Sequence, residues 1–175
     1  MGVMKGDRVA YIAPNTHSHL EAYYAVPQIG AVLVPINYRL KSEEFEYILN
    51  HCGAKVLCVH PDFYDAIDGI RDQIETVEAF IGLEDALPNW IDYEAQIHQH
   101  DASFSPVEID ELDLITINYT SGTTARPKGV MITHRNAYIN IMGTLAHHHL
   151  TPQDRYLWTL PMFHANGWTF TWINT

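Results

Sequence analysis

Short apolar runs alternate with amphipathic stretches through the first half of the chain. Arg8 to Ala13 (RVAYIA) is apolar over the length of a strand and predicts a buried one. Pro14-Asn15-Thr16 predicts a turn, with Asn15 or Thr16 as the N-cap of a helix. Leu20, Tyr23 and Tyr24 follow at helical spacing; Pro27 interrupts or kinks that helix and Gly30 ends it. Ala31 to Ile36 (AVLVPI) predicts a second strand. Ser42 is the expected cap of the next helix, whose Phe45, Ile48, Leu49 and Cys52 recur at i, i+3, i+4, i+7 and mark one buried face. Gly53 stands where a left-handed C-cap belongs, and Lys55 to Val59 (KVLCV) predicts a third strand. Residues 61–74 read as helical, and Val77 to Ile81 as a further strand.

The pattern weakens from Glu84 to Asp110, which reads as a surface connection with a short helix at Tyr93 to Ile97. Strand-like Leu112 to Tyr119 (LDLITINY) then leads into a loop rich in glycine, serine and threonine. Val130 to Ile132 predicts a short strand. Thr133 or His134 opens a helix with Tyr138, Ile141, Met142 and Leu145 on its apolar face. Tyr156 to Leu160 predicts a last strand and residues 161–167 a loop. Trp168 to Ile173 begins another apolar element on which the sequence stops, a pattern that suggests truncation. Alternating strands and helices predict an α/β fold with a largely parallel sheet flanked by helices.

Composition narrows the function classes. The chain has 175 residues, 47% of them hydrophobic and 18% charged, enough for a domain with a real core. The 21 Asp and Glu outweigh the 10 Lys and Arg, giving a formal net charge of -11. That field repels nucleic-acid backbones, so no nucleic-acid partner is expected, and any nucleotide site has to be built locally. No apolar run is long enough to span a bilayer, and residues 1–7 carry no signal core, so a cytoplasmic location is the expectation. Cys52 and Cys58 lack a CxxC spacing and read as small buried hydrophobes. His147, His148 and His149 are consecutive helical positions pointing in different directions, so they read as solvent-facing helix-end residues rather than a metal site.

The candidate chemistry lies in Tyr119-Thr120-Ser121-Gly122-Thr123-Thr124-Ala125-Arg126-Pro127-Lys128-Gly129. Holding a polyphosphate takes converging donors with no bulky side chain between them. Gly122 lets the backbone N–H groups approach, and Thr120, Ser121, Thr123 and Thr124 add hydroxyls that can bond phosphate oxygens or ligate Mg²⁺. Arg126 and Lys128 add cations, and Pro127 stiffens the loop between them. The Walker A spacing and the dinucleotide glycine fingerprint are both absent. An ordinary polar surface loop is the competing reading.

This segment resembles the signature of the acyl-adenylate-forming superfamily, Ser/Thr-Ser-Gly-Ser/Thr-Thr-Gly-x-Pro-Lys-Gly. Residues 30–37 (GAVLVPIN) look like its early G-A-V-x-V-P-x-N stretch, residues 54–57 (AKVL) like its next strand, and residues 160–167 (LPMFHANG) are similar to its P-x-F-H-x-x-G motif. Ala125 departs from the usual glycine. The resemblance implies part of the large N-terminal domain of an AMP-forming ligase over residues 1–175, incomplete on both sides. The C-terminal domain with the catalytic lysine would be absent, and Lys128 is not that lysine. It implies an acid–CoA ligase of the acyl-CoA synthetase branch, acting on a fatty or aryl acid with ATP, Mg²⁺ and coenzyme A. Thr120, Ser121, Gly122, Thr123, Thr124, Arg126, Lys128 and Gly129 would hold the phosphates, with Thr120 on the metal. His164 would be catalytic, where carboxylate, adenylate and thiol meet, and Asn166, Gly167 and Trp168 would shape the acyl pocket. A carrier-protein-loading adenylation domain and a non-catalytic remnant that at most binds nucleotide remain the alternatives, and a homo-oligomer is compatible with any of the three. The fragment alone is expected to be inactive.

Overall fold

The structure, a computed structural model, describes residues 1–120, 126–151 and 153–174. The apolar runs become the strands of one sheet: β1 (Arg8–Ile12), β2 (Val32–Pro35), β3 (Ala54–Val59), β4 (Ala79–Gly82), β5 (Ile91–Asp92), β6 (Leu114–Thr120) and β7 (Lys128–Thr133). Among the described residues the strand order is β5-β4-β3-β1-β2-β6-β7. Every neighbouring pair is parallel except β6 and β7, which are antiparallel. The chain is thus α/β with a largely parallel sheet, as its pattern predicts.

The central strands are apolar at successive positions because both faces are covered. On one face Ala10, Ile12, Val34, Leu57 and Val59 pack beneath α2 (Ser42–Cys52) and α3 (Tyr64–Asp68). On the other, Val9, Tyr11, Leu33, Val56 and Cys58 pack beneath α1 (His17–Gln28). Phe45, Ile48 and Leu49 of α2 are fully buried, each contributing on the order of 2 kcal/mol of apolar burial. Both cysteines are free, and burial pushes the Cys52 and Cys58 thiols up to about 11 and about 12, as inert core residues.

Local chemistry sets the helix ends. Thr16 caps α1, its hydroxyl accepting from the His19 N–H at 3.2 Å. Pro27 lies inside α1, so the Tyr23 carbonyl one turn earlier has no helical N–H to accept. The Trp172 indole N–H takes that place at 3.0 Å, tying the last apolar segment to α1. The cap of α2 is Lys41 rather than Ser42: the Glu44 carboxylate accepts from the Lys41 N–H at 3.1 Å. The Ser42 hydroxyl donates instead to the Ala66 carbonyl at 3.2 Å, joining α2 to α3. Gly53 closes α2 at φ 63, and Arg8 of β1 donates to the Cys52 and Gly53 carbonyls at 2.6 and 2.7 Å. A cation therefore sits at the helix's negative end.

Four expectations change. The helix over residues 61–74 is broken into α3 with a 3₁₀ turn on either side. The connection after β4 contains the two-residue strand β5, leading into α4 (Tyr93–Ile97). Tyr156 to Leu160 joins no strand among the described residues. Its backbone finds a side-chain partner instead: the Asn15 amide donates to the Leu160 carbonyl and accepts from the Met162 N–H, both at 2.8 Å. Finally, α5 (His134–His148), capped by Thr133, buries its expected apolar face only in part: Ile141 and Leu145 are half-buried. Tyr138 and Met142 are 61% and 48% exposed, and Ala137 is the buried residue of the helix. Helix α5 follows the edge strand β7, and the described residues cover neither completely. His147, His148 and His149 face solvent as expected.

Candidate active site

Strand β6 passes through the core and delivers Thr120 to the sheet's carboxyl edge, where open α/β sheets place their ligands. Strand β7 returns antiparallel, with Gly129 opposite Tyr119 and Lys128 opposite Thr120. The polar loop is therefore the connection of a hairpin whose two feet are fixed by the sheet. Ser121, Gly122, Thr123, Thr124 and Ala125, which carry most of the expected phosphate contacts, lie outside the described residues. Gly129 owes its place to packing. A Cβ there would come within 2.9 Å of the Ile117 side chain and 3.2 Å of the Tyr119 ring.

Helix α2 braces both feet. The Tyr119 hydroxyl shares a 2.6 Å hydrogen bond with His51 Nδ1, and burial raises the Tyr119 pKa, keeping the phenol protonated. Arg126 lies over the Tyr47 ring, 5.2 Å from its centroid. Neither Tyr47 nor His51 is marked by the sequence pattern, which shows them only as the polar flank of an amphipathic helix.

A cleft of about 290 Å³ opens beside the hairpin. Asn37, Glu44, Asn118, Thr120, Pro127 and His164 line it, with Ile48 and Phe163 giving it apolar wall. The structure thus brings Thr120 and His164, 44 positions apart in sequence, to one cavity. Lys128 and Arg126 are exposed at the hairpin.

The segment bearing His164 is carried by α1 and the turn before it. Asn15 holds the backbone at Leu160 and Met162, and the Tyr23 hydroxyl donates to the Met162 carbonyl at 2.6 Å. Phe163 is buried edge-on to Tyr38 at 5.0 Å, leaving His164 exposed at the cleft. Beyond His164 the backbone runs left-handed through Ala165, Asn166, Gly167, Trp168 and Thr169, with φ between 47 and 64. Asn166 and Gly167 are buried behind the cleft, and a Cβ at Gly167 would meet the Trp158 ring at 2.8 Å. Trp168 is 60% exposed and does not line the cleft. Asn15 and Tyr23 are the supports that sequence reading missed. Asn15 showed only a capping signal, and Tyr23 only helical spacing.

Thr120 is the described hydroxyl at the cleft able to meet a metal. The described residues hold no group of three or more His, Cys, Asp or Glu side chains arranged so that they could hold a metal ion. That donor set fits a Mg²⁺ ion carried largely by polyphosphate oxygens better than one held in a protein cage.

Comparison with known proteins gives the family. The whole chain, residues 1–175, matches the AMP-binding enzyme family. It belongs to that family. It is 37% identical to 4-hydroxybutyrate–CoA ligase 2 of Metallosphaera sedula, over 98% of this chain and 33% of that protein. It is also 37% identical to a long-chain-fatty-acid–CoA ligase of Thermus thermophilus, over 100% of this chain and 32% of the relative. The chain therefore spans about a third of the length of these curated relatives. Among solved structures, the inhibitor-bound N-terminal domain of FACL13 from Mycobacterium tuberculosis superposes with a TM-score of 0.89 at 34% identity, covering 98% of this chain and 42% of that one. The described part of this chain thus has the architecture of that N-terminal domain.

Proposed function

We propose that the chain is the phosphate-binding part of an AMP-forming acid–CoA ligase acting on a fatty or aryl carboxylic acid. The observation that carries this reading is the hairpin that sets Lys128 opposite Thr120 at a cleft also lined by His164. A carboxylate is a poor electrophile. In the proposed reaction its oxygen attacks the α-phosphorus of ATP, the bond to the bridging oxygen breaks, and pyrophosphate leaves. The sulfur of coenzyme A then attacks the acyl carbon of the adenylate, and AMP leaves.

The first step builds charge on the departing pyrophosphate. Thr120, Lys128 and Arg126, with Ser121, Gly122, Thr123, Thr124 and Gly129, would stabilise that charge with donors and cations. Bound Mg²⁺, with Thr120 as its protein ligand, would supply further charge neutralisation. His164 would orient the carboxylate and then the thiol where they enter, and Asn166, Gly167 and Trp168 would shape the acyl side. Names among the relatives include the aliphatic 4-hydroxybutyrate and long-chain fatty acid and the aryl trans-cinnamate and benzoate, which supports a fatty or aryl acid without choosing between them. No described helix is long and apolar enough to cross a membrane.

The test uses the product of the gene's full reading frame. Acid-dependent release of pyrophosphate from ATP is expected, followed by CoA-dependent release of AMP. Lys128→Ala should lower kcat/KM for ATP by about ten- to a hundredfold. Acyl transfer to a carrier-protein thiol in place of CoA would reassign the acceptor. No acid-dependent pyrophosphate release from pure protein would overturn the proposal.

A further inference from the structure

Three buried polar side chains from segments far apart in sequence meet at the back of the cleft, whose wall Asn118 helps to form. Thr116 and Asn118 share one face of β6, and Asn166 lies in the left-handed turn after His164. Thr116 and Asn166 are fully buried and Asn118 is 7% exposed. Their hydrogen bonds close a ring. The Thr116 hydroxyl donates to Asn118 Oδ1 at 3.2 Å, the Asn118 amide donates to Asn166 Oδ1 at 3.0 Å, and the Asn166 amide donates to the Thr116 hydroxyl at 2.9 Å.

Apolar side chains at these positions would pack without any desolvation cost, so stability alone does not call for a polar trio. A closed ring does what apolar packing cannot, fixing one relative position of the two segments. The segment it grips needs fixing. Five consecutive left-handed residues, four of them not glycine, strain the backbone at each non-glycine position, and such strain persists only where surroundings hold it. Outside the ring, the Thr171 hydroxyl donates to the Asn166 carbonyl at 3.1 Å, and the Thr169 hydroxyl donates to Asn140 Oδ1 at 2.7 Å. The ring also joins the two parts of the candidate site. Two residues beyond Asn118 is Thr120, and two before Asn166 is His164.

We infer that the Thr116–Asn118–Asn166 ring is a positioning device. It clamps the left-handed turn to the phosphate-loop strand and so sets where His164 stands relative to Thr120. The catalytic consequence rests on the ligase reading above; the structural consequence does not.

The test compares Thr116→Val, which keeps the shape and removes the hydroxyl, with Thr116→Ser, which keeps the hydroxyl, both in the full gene product. Hydrogen exchange over residues 164–169 should quicken at least about tenfold in T116V and stay near wild type in T116S, while residues 42–59 are unchanged in both. In steady state, T116V should lose about tenfold or more in kcat with KM for ATP within about threefold, and T116S should recover most of it. Unchanged exchange in T116V overturns the clamp. Quickened exchange with unchanged kcat, in an enzyme that releases pyrophosphate, overturns its role in positioning His164. A wild type without ligase activity leaves the exchange comparison decisive by itself. If T116V does not fold, the wild type decides. Its amides at 166–169 should exchange far more slowly than those of the exposed segment 101–107, and equal rates overturn the clamp.

Discussion

Single residues here are constrained by contacts that substitution can probe. Gly129 packs its α-carbon against Tyr119, which His51 holds by its hydroxyl. Gly129→Ala should push that ring aside, costing about 1–3 kcal/mol and weakening the hairpin. A urea midpoint equal to wild type would contradict this. His19 is fully buried between the rings of Tyr11 and Tyr23, its Nδ1 bonded to the Pro14 carbonyl at 3.2 Å and its Nε2 without a hydrogen-bond partner among the described residues. Burial pulls its pKa from 6.5 down to about 4. Below pH 6.5 the unfolded chain takes up a proton that the folded chain refuses. Stability is therefore lost as pH falls from 6.5 towards 4, by up to about 3 kcal/mol. His19→Phe should flatten that part of the stability–pH curve. Parallel curves for the two proteins would show that His19 is not the group responsible.

At the scale of elements, a defect in one helix is repaired by a distant segment. Pro27 leaves the Tyr23 carbonyl of α1 without its helical partner, and Trp172 supplies the missing N–H. The same segment places the turn after His164, so the repair bears on the site. Trp172→Phe keeps a ring against Tyr23 but strands the carbonyl, and should cost about 1–3 kcal/mol. Chemical denaturation reads the loss directly, and Pro27→Ala in the same background should restore part of it by giving Tyr23 a helical donor. Absence of any restoration would separate the two residues energetically. Asn15 works in the same way, substituting one side chain for the strand pairing that Tyr156 to Leu160 lacks.

At the scale of the molecule, β7 and α5 both expose large apolar side chains among the described residues. Met131 and Ile139 are 66% and 63% exposed, and Val130, Tyr138 and Met142 are exposed as well. Such exposure favours association. The 175-residue chain should therefore self-associate with rising concentration, and Met131→Lys with Ile139→Lys should suppress it while changing folded stability by no more than about 0.5 kcal/mol each. Sedimentation of a concentration-independent monomer would contradict this. The acidic field of the whole chain makes local cations matter more, since Lys128 and Arg126 work against a net charge of -11. ATP affinity should therefore be sensitive to Lys128, as the ligase test above measures.

The sequence by itself determined the elements whose burial pattern is local and repeated. These are the apolar strands β1 to β4 and β6, the α2 face of Phe45, Ile48 and Leu49, the Gly53 cap, and the polar loop between Tyr119 and Gly129. It also carried the resemblance to the family, because the matching residues of the polar loop are adjacent in the chain. Only the tertiary structure decided which strands are neighbours, that Tyr156 to Leu160 joins no strand among the described residues, and that Tyr138 and Met142 of α5 stay exposed. It alone joined Thr116, Asn118 and Asn166, and supplied Trp172 to Tyr23. The reason is physical. Periodicity records what a residue needs from its own helix or strand, whereas a buried polar atom or an unpaired carbonyl can be satisfied by any donor the fold brings within about 3 Å.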